Sequence, residues 1–302
     1  MRSLDRPGQP DEPLRAEQAD ARGPDRPAPK PRELPDPDER GRAYGAMLAH
    51  FSGKKADEAP PSQQPDETQR QSYRDEVPRY LDTWADHEKR WPPRSRAAVD
   101  RPADPPGSAD AIGRVKEAEP TCSADAQAIE QEDKEKHGGW LAGFEHRLKG
   151  EDRLREKIGA KLEVEPNKTP AQALSQIADA IRYTFCFQSE NYTKGYYDIK
   201  ERYESRGYEM YFSQNWWTNP EYKGINTRWV TSEGQRFEVQ FHTPDSFDAK
   251  HHVTHKAYEQ IRDPTTSREE LRELHAFQRQ VCELIEIPDG ATDIPDYRKE
   301  GF

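Results

Sequence analysis

Four polar side chains share one face of a single strand-like stretch. From Gln235 to His242 the residues alternate strictly. Phe237, Val239 and Phe241 point one way; Arg236, Glu238, Gln240 and His242 point the other. A guanidinium, a carboxylate, an amide and an imidazole in one row can hold a polar substrate and exchange a proton with it. The plain alternative for Glu238 is a cross-strand ion pair with Arg236 or Arg228. Just downstream come Lys250, His251, His252, His255 and Lys256. His251 and His255 stand four apart, which is zinc-ligand spacing. The HHVTH pattern lacks the glutamate of a metalloprotease motif and has no evident third ligand, so phosphate contact or helix packing is the better reading. Trp216, Trp217 and Trp229 could stack on a base, but aromatic residues in strands more often fill a core. Cys186 reads as an inert core thiol.

The elements that position this row are a hairpin and the helix after it. Ile225–Thr231 reads as the preceding strand, and Ser232-Glu233-Gly234 as a short loop in which Gly supplies positive φ. Thr243-Pro244 is an N-cap followed by Pro at the first helical position. Upstream, the pattern predicts helices over Ser123–Lys136 and Trp140–Leu162, and one opened by Thr169-Pro170 and running to Asp179. Ile181–Phe187 is a strand with Arg182 and Thr184 on its polar face. Tyr192–Arg206 is a helix stopped by Gly207, and Tyr208–Trp216 is a strand. Ser267-Arg268-Glu269-Glu270 reads as a capping box opening a last helix to Glu286. The expected fold is one α/β (α+β) domain, with helices packed on a mixed, largely antiparallel sheet.

The chain has 302 residues, 34% charged and 32% hydrophobic, too polar for one core along its whole length. Residues 1–110 hold 18 of the 26 prolines. Residues 1–115 therefore read as a Pro/Arg-rich disordered or linker region, and 116–302 as the folded domain. Two segments of the first region have helical spacing: Arg42–Phe51, and Glu67–Trp91 with Tyr73, Val77, Tyr80, Leu81 and Trp84, interrupted by Pro78. The net charge of −11 argues against coating duplex DNA. Three dispersed cysteines form no disulfide framework, which favours a reducing compartment. No apolar leader and no membrane-spanning run is present in the sequence. The expectation is a cytoplasmic protein, or one exported by a route that uses no such signal.

Further motifs complete a pattern. Arg147-Leu148-Lys149 followed by Lys157 resembles the R-x-K…K signature of RelA/SpoT-type nucleotide pyrophosphokinases. Asp179-Ala180-Ile181-Arg182 resembles their aspartate–strand–arginine segment, and Tyr222-Lys223-Gly224 with Asn226 the loop before their acceptor-binding strand. Glu238-Val239-Gln240-Phe241-His242-Thr243 resembles their E-x-Q-x-R-T strand, and His255 with Tyr258 the H-x-x-Y that ends the following helix. The resemblance covers residues 140–262 in the family's order. Its wording is similar to toxin effector domains and to secreted actinobacterial ATP:nucleotide 3′-pyrophosphokinases.

The resemblance implies a nucleotidyltransferase-like fold and attack of a nucleotide 3′-hydroxyl on the β-phosphorus of ATP, with release of AMP. It implies phosphate contacts from Arg147, Lys149, Lys157, Arg182 and Arg153, because crowded phosphate oxygens need fixed cations. It implies Mg2+ on Asp179 and Glu238, with Glu238 orienting or deprotonating the hydroxyl. The implied acceptor contacts are Tyr222, Lys223, Asn226, Arg228, Gln240, His242 and His255, with Tyr222 as the base-stacking ring. The sequence departs from the family in four places, one of them Arg153 where the family has a serine after the R-x-K pair. The family's metal aspartate falls at Ile177, its guanine-stacking tyrosine at Ile225, and the arginine of Q-x-R-T at His242, a weaker and pH-dependent cation. Ile225 favours an adenine or unselective purine acceptor. The partners implied are ATP, a purine nucleotide and, for a growth-inhibiting toxin, an immunity or antitoxin protein. Two other readings are a toxin that pyrophosphorylates the 3′ end of tRNA and a non-catalytic nucleotide-binding module. Keeping Glu238 against the phosphate-binding cations argues against the last.

Overall fold

The computed structural model describes residues 67–92 and 104–301. The segment Arg42–Phe51 lies outside them. Helix α1 spans Glu67–Arg90 and α2 Ser108–Lys134. Strand β1 is Trp140–Leu141, α3 is Glu151–Val164, α4 is Pro170–Ser175 and β2 is Arg182–Cys186. Then come α5 (Tyr192–Ser205), β3 (Glu209–Asn215), β4 (Ile225–Val230) and β5 (Arg236–His242). The chain continues through α6 (Pro244–Asp248), α7 (His255–Ile261), α8 (Arg268–Glu283) and β6 (Tyr297–Arg298).

Among the described residues, six strands form one sheet in the order β1-β2-β5-β4-β3-β6. Only β2 and β5 run parallel. This is the expected mixed, largely antiparallel sheet flanked by helices. The cause is the alternation on each strand. Phe237, Val239 and Phe241 on β5 and Ile225, Thr227 and Trp229 on β4 are fully buried, and Tyr183 and Phe185 join them from β2. Around Phe237 the rings of Tyr183, Tyr203 and Tyr208 stand 6.1, 5.7 and 5.3 Å away, centroid to centroid. Phe237→Ala should therefore cost about 3–5 kcal/mol, readable as a lower urea midpoint at unchanged slope.

Local signals fix the helix starts. Thr169 and Thr243 each accept from the N–H three residues on, and Gln172 and Ser246 bond back, closing two capping boxes. Ser267 Oγ accepts from the Glu270 N–H. Gly207 takes positive φ after α5 and Gly234 does so in the β4–β5 hairpin.

Several expectations are corrected. Trp140–Leu162 is not one helix: Trp140 and Leu141 pair with Cys186 and Phe185, Gly143 takes φ +61°, and α3 begins only after Gly150. The glycines interrupt a pattern that otherwise has helical spacing. The helix read from Ser123 begins at Ser108 and runs through Pro120. Its buried side (Ile112, Val115, Cys122, Ala126 and Ile129) keeps a spacing of three, four and seven residues, so the stretch around 115–116 lies inside one helix. The segment 67–90 is likewise helical through Pro78 and lends Tyr73, Val77 and Trp84 to the same core. Trp84 packs on Phe277 of α8 with centroids 5.3 Å apart, and the Tyr73 hydroxyl donates to Asp248 at 2.8 Å. The His-rich helix is broken by a π turn, Ala249–Val253.

Candidate functional site

Parallel pairing of β2 and β5 puts Arg182 beside Glu238 and Thr184 beside Gln240. The chain before α3 adds one more row. Leu148 bridges Ile181, with the Arg182 N–H donating to the Arg147 carbonyl at 2.7 Å and the Lys149 N–H to the Ala180 carbonyl at 3.0 Å. That bridge carries Lys149 to the Asp179 turn. From the other side, α3 buries Leu154 and Ile158, and Lys157 between them reaches the same turn.

Asp179 is the hub. Lys157 Nζ lies 2.9 Å from both its oxygens, Lys149 Nζ 3.1 Å from Oδ2, and Arg182 Nη2 3.1 Å from Oδ2. Arg182 Nε donates to Glu238 Oε2 at 2.5 Å, so one guanidinium joins the two carboxylates. Burial alone would raise the Asp179 carboxyl. Arg182, Lys157 and Lys149 outweigh it and hold the group well below the usual carboxylate range. Lys149 is lowered by burial, partly offset by Asp179.

A second group lies along β5. Lys250, from the π turn, bonds Gln240 Oε1 and sits 5.7 Å from the Tyr222 ring centroid. Burial, with Arg182 nearby, pushes its ammonium down to about 7. The Tyr222 hydroxyl donates to Asn226 Oδ1 at 2.8 Å and lies 3.0 Å from His242 Nε2; His242 Nδ1 meets Ser246 Oγ at 2.9 Å. Gly224 makes this approach possible. A Cβ there would sit 2.8 Å from His242 Cε1 and from the Phe241 carbonyl, at φ +143°.

The structure thus gathers Lys149, Lys157, Asp179, Arg182 and Glu238 in one cluster, and Tyr222, Asn226, Gln240 and His242 beside it. Arg147 borders the cluster, with its head on Glu119 and Ser123 and over the Phe144 ring. Arg153 stands on the exposed side of α3 against Glu156, and exposed His255 lies 3.9 Å from Glu259. Lys223 turns to the Trp217 carbonyl. Arg228 lies opposite Glu238 in register but rests its guanidinium on Phe212. The ion pair of Glu238 therefore runs to the parallel neighbour β2, where hairpin reasoning did not look. His242 is fully buried, and burial and the neighbouring Lys250 hold it well below its ordinary value. It is a neutral hydrogen-bonding ring at pH 7, not the cation expected of it. Ile225 is fully buried among the core residues, so its identity does not read an acceptor base. His251 is pushed down to about 2 by burial and lies tilted at 33° to Phe247 with centroids 4.3 Å apart, which is the packing side of the two readings, phosphate contact or helix packing.

Lys250 is the residue that sequence reasoning left out of the site. Its signal is a lysine opening the basic run Lys250–Lys256 after a strand–cap–helix junction, which a solvated helix face would show equally. A separate groove of about 520 Å³, lined in part by Tyr197, Lys200 and Tyr208, contains none of these residues. Chemically, the cluster sets three cationic heads (Lys149, Lys157, Arg182) against two carboxylates, with Lys250, lowered to about 7, beside it. Such a surplus in a half-buried place suits a polyanion.

No family model matches the chain, and no curated protein matches it. Solved structures do. The crystal structure of the complex between the type VI effector Tas1 and its immunity protein is 21% identical, covering 60% of this chain and 96% of that one, with a TM-score of 0.40. That of smu.1046c from Streptococcus mutans UA159 is 13% identical, over 60% and 91%, with a TM-score of 0.40. That of small alarmone synthetase 1 from Bacillus subtilis bound to its product pppGpp is 11% identical, over 56% and 88%, with a TM-score of 0.40.

Proposed function

We propose that the chain is an ATP-dependent pyrophosphokinase that moves the β,γ-pyrophosphate of ATP to the 3′-hydroxyl of a purine nucleotide. The observation that carries this is the bonding of Lys149, Lys157 and Arg182 around Asp179 and Glu238, at the motif positions that resemble RelA/SpoT-type synthetases. In the step, the acceptor oxygen bonds to the β-phosphorus, the bond from that phosphorus to the α-phosphate oxygen breaks, and AMP leaves. The hydroxyl proton passes to Glu238, whose Oε2 is already fixed by Arg182. Lys149 and Lys157 hold the phosphate oxygens and Arg182 stays with the carboxylates, so the work is positioning and charge stabilisation.

The donor set fits Mg2+. Asp179 and Glu238 are two oxygen ligands beside a phosphate site, and Asp179 is kept ionised by its cations. These two residues would hold the ion, which supplies further neutralisation of phosphate charge. The lysine heads that now sit on Asp179 are the ones a triphosphate would draw away.

The test is separation of nucleotides after incubating the full chain with ATP, Mg2+ and each of AMP, ADP, GDP, GTP and deacylated tRNA. AMP release with a new, more acidic nucleotide is the expected result and names the acceptor. Release with tRNA alone would move the acceptor to RNA. Release with none, while ATP still binds, would overturn the enzyme reading. No helix among the described residues is long and apolar enough to cross a membrane.

Lys250 adds a pH prediction. Its ammonium is present below pH 7 and is lost as pH rises through about 7. If it faces the nucleotide through Gln240, affinity for a phosphorylated acceptor should weaken across pH 6.5–8 in the wild type. Lys250→Met should bind weakly throughout, with that part of the slope removed. Parallel acceptor-KM profiles for the two proteins would contradict the role.

A further inference from the structure

A second set of chemistry-bearing residues lies where α2 ends against α5. Asp133 is in the last turn of α2, His137 four residues on, and Asp198 in α5. Each offers one ligand atom, and the three atoms lie within 4.8 Å of one another. His137 Nε2 is 3.9 Å from Asp198 Oδ1. We propose that Asp133, His137 and Asp198 form a structural site for a divalent ion of the zinc class, which clips the end of α2 to α5.

The first support is an orphaned atom. Asp133 is 0% exposed. Its Oδ2 accepts from the Gly139 N–H at 3.0 Å, while its Oδ1 has no partner. A buried carboxylate oxygen with nothing bonded to it is expensive, and a cation is the partner such an oxygen takes. The second support is a cradle. A Cβ at Gly139 would fall 2.4 Å from Asp133 Oδ2 and 2.4 Å from Phe187 Cε1, so only glycine lets the chain pass over this carboxylate.

The present partners do not block the site. Asp198 is held by Lys136 through Oδ1 and by Arg202 through Oδ2. The Lys136 side chain is 58% exposed and can return its head to water, freeing the oxygen that faces His137. Arg202 keeps Oδ2 and its second partner, Glu132. Ligand atoms on a tetrahedral zinc stand about 3.3 Å apart, given bonds of about 2.0–2.1 Å, so the 3.9 Å between His137 and Asp198 must close by about 0.6 Å and no pair by more than about 1.5 Å. One imidazole with two carboxylates, in a compact buried place, suits zinc better than magnesium, which wants an octahedral shell rich in water.

The test uses the full chain, stripped with chelator and titrated with zinc chloride by calorimetry, with thermal melts alongside. The expected result is one equivalent bound at micromolar affinity or tighter, a higher Tm with zinc, and at least a tenfold loss of affinity in His137→Gln and Asp133→Asn. Asp133→Asn removes a buried charge and could misfold; His137→Gln, at a partly exposed ring, decides the matter alone. The same equivalent should persist in Asp179→Asn/Glu238→Gln, which separates this site from the proposed magnesium site. No zinc binding by the wild type, unchanged affinity in His137→Gln, or loss instead in His251→Gln or Asp179→Asn would overturn the proposal.

Discussion

Glu238→Gln should lower the rate of AMP release by about 10³-fold while ATP binding survives. The size follows from the role. A positioned base contributes about 10²–10⁴-fold, and this one is held in place through Arg182 Nε at 2.5 Å. Glutamine keeps the length and shape of the side chain and loses its proton affinity. The change should therefore fall on kcat, with the KM for ATP nearly unchanged, because Lys149 and Lys157 still meet the phosphates. Single-turnover rates beside equilibrium binding of a non-hydrolysable ATP analogue give both numbers. A rate within tenfold of wild type would remove Glu238 from the chemistry and leave it as a structural partner of Arg182.

Arg182→Lys should also fail, although charge is conserved. Arg182 reaches Asp179 through Nη2 and Glu238 through Nε, two donors in one rigid plane. A lysine has one ammonium and cannot serve both carboxylates at that geometry. Loss of a preorganised donor at a charged centre costs about 10²–10³-fold in rate. The fold should persist, since the lysine still neutralises one carboxylate, so the melting curve separates a catalytic defect from an unfolded one. Arg182→Met should behave differently: Asp179 keeps Lys149 and Lys157, but buried Glu238 loses its guanidinium, and destabilisation of about 3–5 kcal/mol is expected.

The strands that carry this site were legible because their signal is local. Strict alternation in 235–242 and the Thr-Pro and Thr-x-x-Gln starts are written in neighbouring residues, and β4, β5 and the caps fall within a residue or so of expectation. The gathering of Asp179, Arg182 and Glu238 follows from one parallel pairing that no local pattern encodes; the order of motifs supplied it instead. What local reading missed is what tertiary contact decides. His242 reads as a switchable cation in a string of letters, but zero exposure makes it a neutral link between Tyr222 and Ser246. Arg153 and His255 share the spacing of their neighbours and yet fall on outer helix faces. Pro78 reads as a break, while α1 runs through it, and α2 through Pro120, because their buried sides continue on either side.

The tie between Tyr73 and Asp248 spans 175 positions, and the Arg182–Glu238 bond spans 56. Contacts so distant along the chain close late in folding, after the loops between them have formed. A growing polypeptide that has reached β4 already carries Lys149, Lys157, Asp179 and Arg182 but lacks the carboxylate opposite them. On the proposed function it would attract phosphate without consuming ATP. That activity would begin only once β5 slots beside β2 and the helix that follows is pinned by Tyr73.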